Sequence, residues 1–330
     1  LSEQLNAYFD ELDEAVLSEE EENQIVKELE PVMEYFEENM PKPIENVFGN
    51  NVPSGFMETA ETINIGGDII LDKRDPENAV IISNLVREAK GLPPIEEEEV
   101  KVQNITRGFY SDRSGWFQGV KFWPGGKVKY RFDGPNNSQK NAIKQAMREW
   151  ERVSDRKVHF SEYKNKRWNK FRWKVGLSQH VKITSKNDGS YATLGRKRWA
   201  YMNIDDFSQD TILHELGHVL GLMHEHQRPD RDDYILVNTE AAQNINGWSD
   251  SKIKNNYEKI GEKSYRWFLK NDIKATEQYD YQSIMHYPSQ MFNGEYSIVR
   301  KDGKVSFYGR PVVGGYILSD LDKEFIKTLY

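Results

Sequence analysis

The run HELGHVLGLMH, from His214 to His224, constrains this chain more than any other stretch. His214 and His218 are i and i+4, so on a helix both imidazoles project from one face. That is the separation two ligands of one tetrahedral zinc need. Glu215, beside the first ligand, is placed to reach a water on the metal rather than the metal itself. Gly221 follows His218 by three residues. A glycine can take positive φ, which ends the helix and turns the chain. The turn brings His224 back as a third ligand, completing the pattern HExxHxxGxxH. The expected result is a helix from Ser208 to Gly221 and one zinc ion per chain. A bare HExxH could be two surface histidines; the longer pattern fixes five positions in eleven. The chain has no cysteine in 330 residues, so a disulfide frame, a thiolate metal site and a cysteine nucleophile are excluded. His226 and His286 fall outside the ligand spacing and are expected to be hydrogen-bonding neighbours. His159 and His180, isolated in strand-like segments, are expected to be structural.

The surrounding sequence is that of a folded protein, with 12% aromatic residues and 37% hydrophobic ones. No apolar stretch approaches the ~20 residues that cross a bilayer, so no membrane span is expected. VKYRF (128–132), VHFSEY, HVKIT and WAYMNI (199–204) read as strands. Ser138–Arg152 reads as a helix with Ala142, Ile143, Ala146, Met147 and Trp150 on one face. Strands followed by a site helix predict an α+β domain.

A second signal lies 61 residues beyond His224, in YDYQSIMHYP, with Met285 and Tyr287. After an extended zinc motif it reads as a Met-turn, in which the methionine packs beneath the metal. HEHQRPDRDDYI after the third ligand and SIMHY in the Met-turn resemble the astacin family of metzincin zinc endopeptidases. FWPGGKVKYRF (122–132) is similar to that family's first strand, SYATLGR (190–196) to its substrate-binding strand, and LSDLDKEFIKTLY (318–330) to its closing helix. The resemblance covers residues 114–330. It implies a twisted sheet and active-site helix in two lobes around a cleft, with Glu215 as general base and Tyr287 as a metal neighbour that stabilises the oxyanion. It also implies that Glu225 pairs with the freed N-terminus of the mature enzyme. Astacin domains usually carry disulfides. Their absence here points to a prokaryotic branch held by packing and metal alone.

The first 113 residues differ in character. They hold 9 Lys and Arg against 27 Asp and Glu, a balance of −18, while residues 114–330 carry +10. Such asymmetry suggests that the acidic part lies on the basic part. A solubilising segment and a nucleic-acid patch are the other readings. The scattered basic residues come with no nucleic-acid motif, so no nucleic-acid partner is expected. Leu5, Phe9, Leu12 and Val16 repeat at helical spacing, as do Val26, Leu29, Met33 and Phe36, with Pro31 expected to break the second stripe. Residues 77–90 also read as a helix, followed by an exposed acidic linker.

Astacin precursors carry an N-terminal inhibitory pro-segment whose F-x-G-D aspartate binds the zinc. Ile65-Gly66-Gly67-Asp68 resembles that motif, with Ile where Phe is usual. The resemblance makes Asp68 a fourth metal ligand. The plainer reading is a Gly-Asp turn between strands, and Glu58, Glu61 and Asp72 are rival carboxylates. The expected domains are therefore a pro-segment, 1–113, and a catalytic domain, 114–330. Activation cleavage is expected at Arg113–Ser114, or else at Arg107–Gly108. The implied partners are protein or peptide substrates and an activating protease, with a monomer as the default. The expected location is extracellular. The chain starts at Leu1 with no signal sequence, as a processed or trimmed product would. Two rival functions remain: a constitutive protease whose N-terminal domain recruits substrate, and an inactive binding module on the same scaffold.

Overall fold

The computed structural model describes residues 2–40, 47, 57–58, 61–64, 68–75, 78, 82–83, 87, 92, 121–163, 166–246, 250–259, 278–306, 311 and 313–330. The expected cleavage positions Arg107, Arg113 and Ser114, and most of the helix expected over 77–90, lie outside the described residues.

Eight strands form the main sheet. They are β1 (Met57–Glu58), β2 (Thr62–Asn64), β3 (Ile69–Asp72), β4 (Lys127–Phe132), β5 (His159–Glu162), β6 (Val181–Thr184), β7 (Tyr191–Thr193) and β8 (Ala200–Asn203). Their spatial order is β1-β2-β3-β7-β8-β6-β4-β5. The strands from β8 to β5 run parallel, and β7 is antiparallel to β8. The first three strands extend this sheet: β3 adds parallel to β7, with Ile69 opposite Ala192 and Ile70 opposite Thr193. The sheet therefore runs across the two halves of the sequence.

Helix α3 (Asn137–Val153) starts in a capping box, where Asn136 accepts from the Gln139 amide and Gln139 reaches back to the Asn136 amide. Ile143, Ala146, Met147, Trp150 and Val153 form its buried face. The histidine-bearing helix α5 (Gln209–Val219) packs on α3, and Trp150 Nε1 joins them by donating to the Leu213 carbonyl at 3.1 Å. The chain then builds a smaller lobe from β9 (Ile235–Val237), α6 (Thr239–Asn246), α7 (Asp250–Tyr257), the hairpin β10 (Met291–Phe292) with β11 (Glu295–Tyr296), and β12 (Ile298–Arg300), which pairs with β9. Its own core holds Ile235, Ala242, Ile253, Tyr257, Tyr279, Ile298 and Val313. Helix α8 (Asp320–Leu329) closes the chain over the larger core. The architecture is the expected α+β fold in two lobes.

At the N-terminus, α1 (Ser2–Glu14) and α2 (Glu19–Glu38) pack on α4 (Arg167–Lys174). Phe9, Val26 and Leu29 are buried there against Trp168, Phe171 and Val175. Burial of each such side chain contributes about 1.5–3 kcal/mol. The break expected at Pro31 does not occur; α2 runs through it. A proline removes one intrahelical hydrogen bond. The Ser18–Glu21 capping box and the apolar stripe on both sides of Pro31 hold the helix together despite that loss.

Candidate active site

Helix α5 presents His214 and His218 on one face, as the i, i+4 spacing requires. Gly221 has φ 98°, a left-handed conformation that side-chain-bearing residues rarely adopt, and it turns the chain so that His224 returns to the same point. His224 Nε2 lies 3.1 Å from His214 Nε2 and 3.2 Å from His218 Nε2. The fourth corner comes from the other half of the sequence. Asp68 Oδ1 is 3.0 Å from His224 Nε2 and 3.2 Å from His218 Nε2, and its Oδ2 is 3.3 Å from His214 Nε2. Asp68 stands in the connection between β2 and β3, so the turn reading and the ligand reading of this residue are compatible.

These four side chains fit a zinc ion. Bonds of about 2.0–2.1 Å in a tetrahedron set neighbouring ligand atoms about 3.3–3.4 Å apart, close to the separations seen here. The tautomers agree. His214 Nδ1 donates to the Ile284 carbonyl at 2.7 Å, His218 Nδ1 to the Leu222 carbonyl at 2.8 Å, and His224 Nδ1 to Gln227 Oε1 at 3.2 Å. With each proton on Nδ1, every Nε2 keeps its lone pair and no Nε2 can donate to another. Three lone pairs and a carboxylate facing one another this closely repel unless a cation lies among them. Asp68 Oδ1, buried and with no N–H directed at it, has the same need. Among the described residues this is the cluster of His, Asp and Glu able to hold a metal. Two of the rival carboxylates are used elsewhere, Glu58 pairing with Lys73 and Asp72 with Arg74, and Glu61 is not part of the cluster.

Glu215 is buried, and its Oε2 has no hydrogen-bond partner. Burial first, and then the charge of Asp68, push its carboxyl above the ordinary range. A carboxylate with an open lone pair in such surroundings is a proton acceptor. The Tyr287 hydroxyl donates to Asn256 Oδ1 at 3.0 Å and stands 3.5 Å from Asp68 Oδ2. Burial, and then Asp68, hold it well above the usual phenol range, so it remains a donor. Met285 is buried beneath α5. A Cβ on Gly217 would lie 2.4 Å from the Met285 sulfur, so any larger residue at this helix position would force the Met285 side chain to shift.

Glu225 is partly buried. Its Oε1 accepts from Arg228 Nη1 and from the Asp280 amide, both at 2.9 Å. Burial pushes its carboxyl up to about 7, against the opposing pull of Arg228. His226 and His286 stand outside the four-residue cluster. His226 Nε2 donates to the Asn256 carbonyl at 2.9 Å, and the Tyr287 amide donates to its Nδ1 at 3.3 Å. Tyr279 and His286 pair at 2.8 Å. His180 is buried against Tyr163, whereas His159 lies at the sheet edge beside Glu151.

Three supporting residues had no spacing signal of their own, although Gln227 and Asp322 lie inside stretches that carry the resemblance. Gln227 accepts from His224 and donates to the Asn256 carbonyl. Asn256, on α7, thereby supports Gln227, His226 and Tyr287 together. Asp322, on α8, accepts from Ser283 Oγ at 2.7 Å and from the Ile284 amide at 2.8 Å, and the Ile284 carbonyl holds His214. None of the three stands at a ligand spacing.

A family model described as Astacin, a peptidase family, matches residues 117–330. The chain is 29% identical over 257 residues to zinc metalloproteinase nas-14 of Caenorhabditis elegans, covering 75% of this chain and 44% of that protein. It is 27% identical over 258 residues to bone morphogenetic protein 1 of Xenopus laevis, covering 69% of this chain and 30% of that protein. The chain thus spans less than half the length of these relatives. Among solved structures it is similar to high choriolytic enzyme 1, a hatching enzyme zinc-protease from Oryzias latipes. That match has a TM-score of 0.47 and 24% identity, covering 69% of this chain and 98% of that one.

Proposed function

The chain belongs to the astacin family of peptidases, and on that premise we propose that it is a zinc endopeptidase in precursor form, silenced by Asp68. The observation that carries this reading is the convergence of a carboxylate from residue 68 with three imidazoles from residues 214–224. His214, His218 and His224 would hold the zinc. Bound there, zinc supplies Lewis acidity, polarising the scissile carbonyl and making water nucleophilic near neutral pH.

The chain's own residues supply the rest. Glu215 takes the proton of the attacking water as the new C–O bond forms. It delivers that proton to the amide nitrogen as the C–N bond breaks. The Tyr287 hydroxyl donates to the oxygen of the peptide carbonyl as negative charge develops on it. Substrate would add as a strand to β7, where backbone hydrogen bonds give grip without demanding a sequence. In the precursor β3 lies along that edge, and Asp68 takes the fourth corner of the histidine site. The same reading makes the protein extracellular. It acts on proteins and peptides and depends on a separate protease that cuts at Arg113–Ser114.

The test is peptide hydrolysis by uncut and cut protein, with and without a zinc chelator. Wild type should be silent before the cut and active after it, and the chelator should abolish that activity. Uncut Asp68→Ala should show partial activity, because the carboxylate is gone while β3 stays. Wild type that hydrolyses peptide before any cut would be a constitutive enzyme. Protein that stays silent after complete removal of residues 1–113 would be a binding module.

A further inference from the structure

Among the described residues, the N-terminal part meets the rest of the chain on one side at β7 and the histidine site, with Arg74 donating to the Tyr201 hydroxyl, and that is not its only contact. The other is the face of α4, and it is both apolar and basic. Phe9 and Phe36 approach Phe171 with ring centroids at 6.3 and 6.4 Å. The guanidinium of Arg172 lies over the Phe9 ring and donates to Asp10 Oδ1 at 3.0 Å. Asp13 Oδ1 accepts from Trp168 Nε1 at 3.1 Å and from Asn169 Nδ2 at 2.8 Å. At the rim Glu37 pairs with Lys174 at 2.6 Å, and Glu22 pairs with Lys166. None of these residues belongs to the catalytic machinery.

We propose that this face of α4 is a metal-independent docking site for the acidic α1–α2 hairpin, which stays bound after the chain is cut near residue 113. A single cut then leaves Asp68 over the histidines, and activity follows only when the hairpin departs. The inference rests on the precursor reading above. Its physical basis is tethering. Through α1–α2 the strand β3 and Asp68 remain at an effective concentration on the order of millimolar over the cleft, whether or not the chain is continuous at residue 113. The pairing of β3 with β7 and the contacts of Arg74 with Tyr201 and Trp199 need not hold the strand alone. Paired charges and a buried aromatic cluster hold the hairpin, and those contacts are untouched by a cut elsewhere.

The experiment uses the full chain, cut between residues 107 and 114 by an added protease, with the site confirmed by mass spectrometry. Gel filtration and peptide hydrolysis are followed in wild type and in Phe9→Asp. In wild type the two fragments should co-elute and activity should stay at least about tenfold below that of the separated catalytic fragment, the signature of an intramolecular competitor. In Phe9→Asp the fragments should separate and full activity should appear at once. Where Phe9→Asp fails to fold, Asp13→Ala removes the acceptor for Trp168 and Asn169, and should shift elution and activity in the same direction. Wild-type fragments that part and become active on cutting overturn the inference, as do fragments that co-elute with full activity. So do Asp13→Ala and Phe9→Asp fragments that stay joined and silent. Uncut wild type that hydrolyses peptide overturns the precursor reading itself, a result distinct from failure of the hairpin alone.

Discussion

An acid buried without a partner is expensive, and Glu215 is one: its Oε2 meets no donor. A residue selected for stability alone would not sit so; a residue that must accept a proton can. Glu215→Gln keeps the shape, removes the base and leaves the three imidazoles alone. The cut variant should bind one zinc yet lose about 10²–10⁴-fold in kcat, the usual contribution of general acid–base catalysis. Metal analysis beside steady-state kinetics checks both halves, and full activity with full metal would remove Glu215 from its role. Tyr287 is held differently, with its ring stacked on His226 at 4.2 Å and its hydroxyl donating to Asn256. Tyr287→Phe keeps the stack and deletes the donor. In cut enzyme kcat should fall by about 10²-fold with KM little changed, as for loss of one oxyanion donor. A rise in KM alone would assign the hydroxyl to ground-state binding.

At the level of elements, α5 is fixed by what lies beneath and behind it. Met285 seats in the space that Gly217 leaves, and Asp322 fixes the Met-turn whose Ile284 carbonyl orients His214. Gly217→Ala should overpack this contact and destabilise the protein by about 1–3 kcal/mol, read from urea unfolding. Asp322→Ala should weaken zinc binding by about 10–100-fold, the range for removing outer-shell support, and chelator competition measures it. Normal zinc affinity in that variant would reduce Asp322 to a helix cap. These couplings also explain what could be read in the linear sequence. The histidine spacing and Gly221 are local, because a helix and one turn suffice to bring three imidazoles together. The stripe on α3 is local too. Asn256 and Asp322 reach the site only after the small lobe and α8 fold back, and an Asn or Asp on a helix has no period to betray it. Strands β2 and β3 flank the Gly-Asp turn that the sequence offered, whereas the shorter β1 has no sign of its own. Two or three residues carry no alternation, and their pairing is set by the sheet they join.

Across the whole molecule, the proposed function makes zinc and the acidic N-terminal part linked ligands of one domain. Docking of α1–α2 on α4 and of β3 on β7 brings Asp68 to the imidazoles, where on that reading it completes the ligand set. Two ligands that share a contact must strengthen each other by the same factor. Whatever zinc adds to the hold on residues 1–113, those residues must add to the hold on zinc. The precursor should therefore release zinc to a chelator less readily than the separated catalytic fragment, with a lower apparent Kd. A coupling of about 1–3 kcal/mol, a typical size, corresponds to roughly 5–150-fold. The gap should vanish in Asp68→Ala, where the sheet and the hairpin remain but the shared contact does not. Asp68→Asn should retain little of it, since a neutral amide oxygen is a poorer zinc ligand than a carboxylate. The reciprocal measurement is release of residues 1–113 from cut protein with and without zinc, and it should return the same factor. Equal zinc affinity in precursor and fragment would show that Asp68 is not a ligand. The N-terminal part would then act by covering the β7 edge alone.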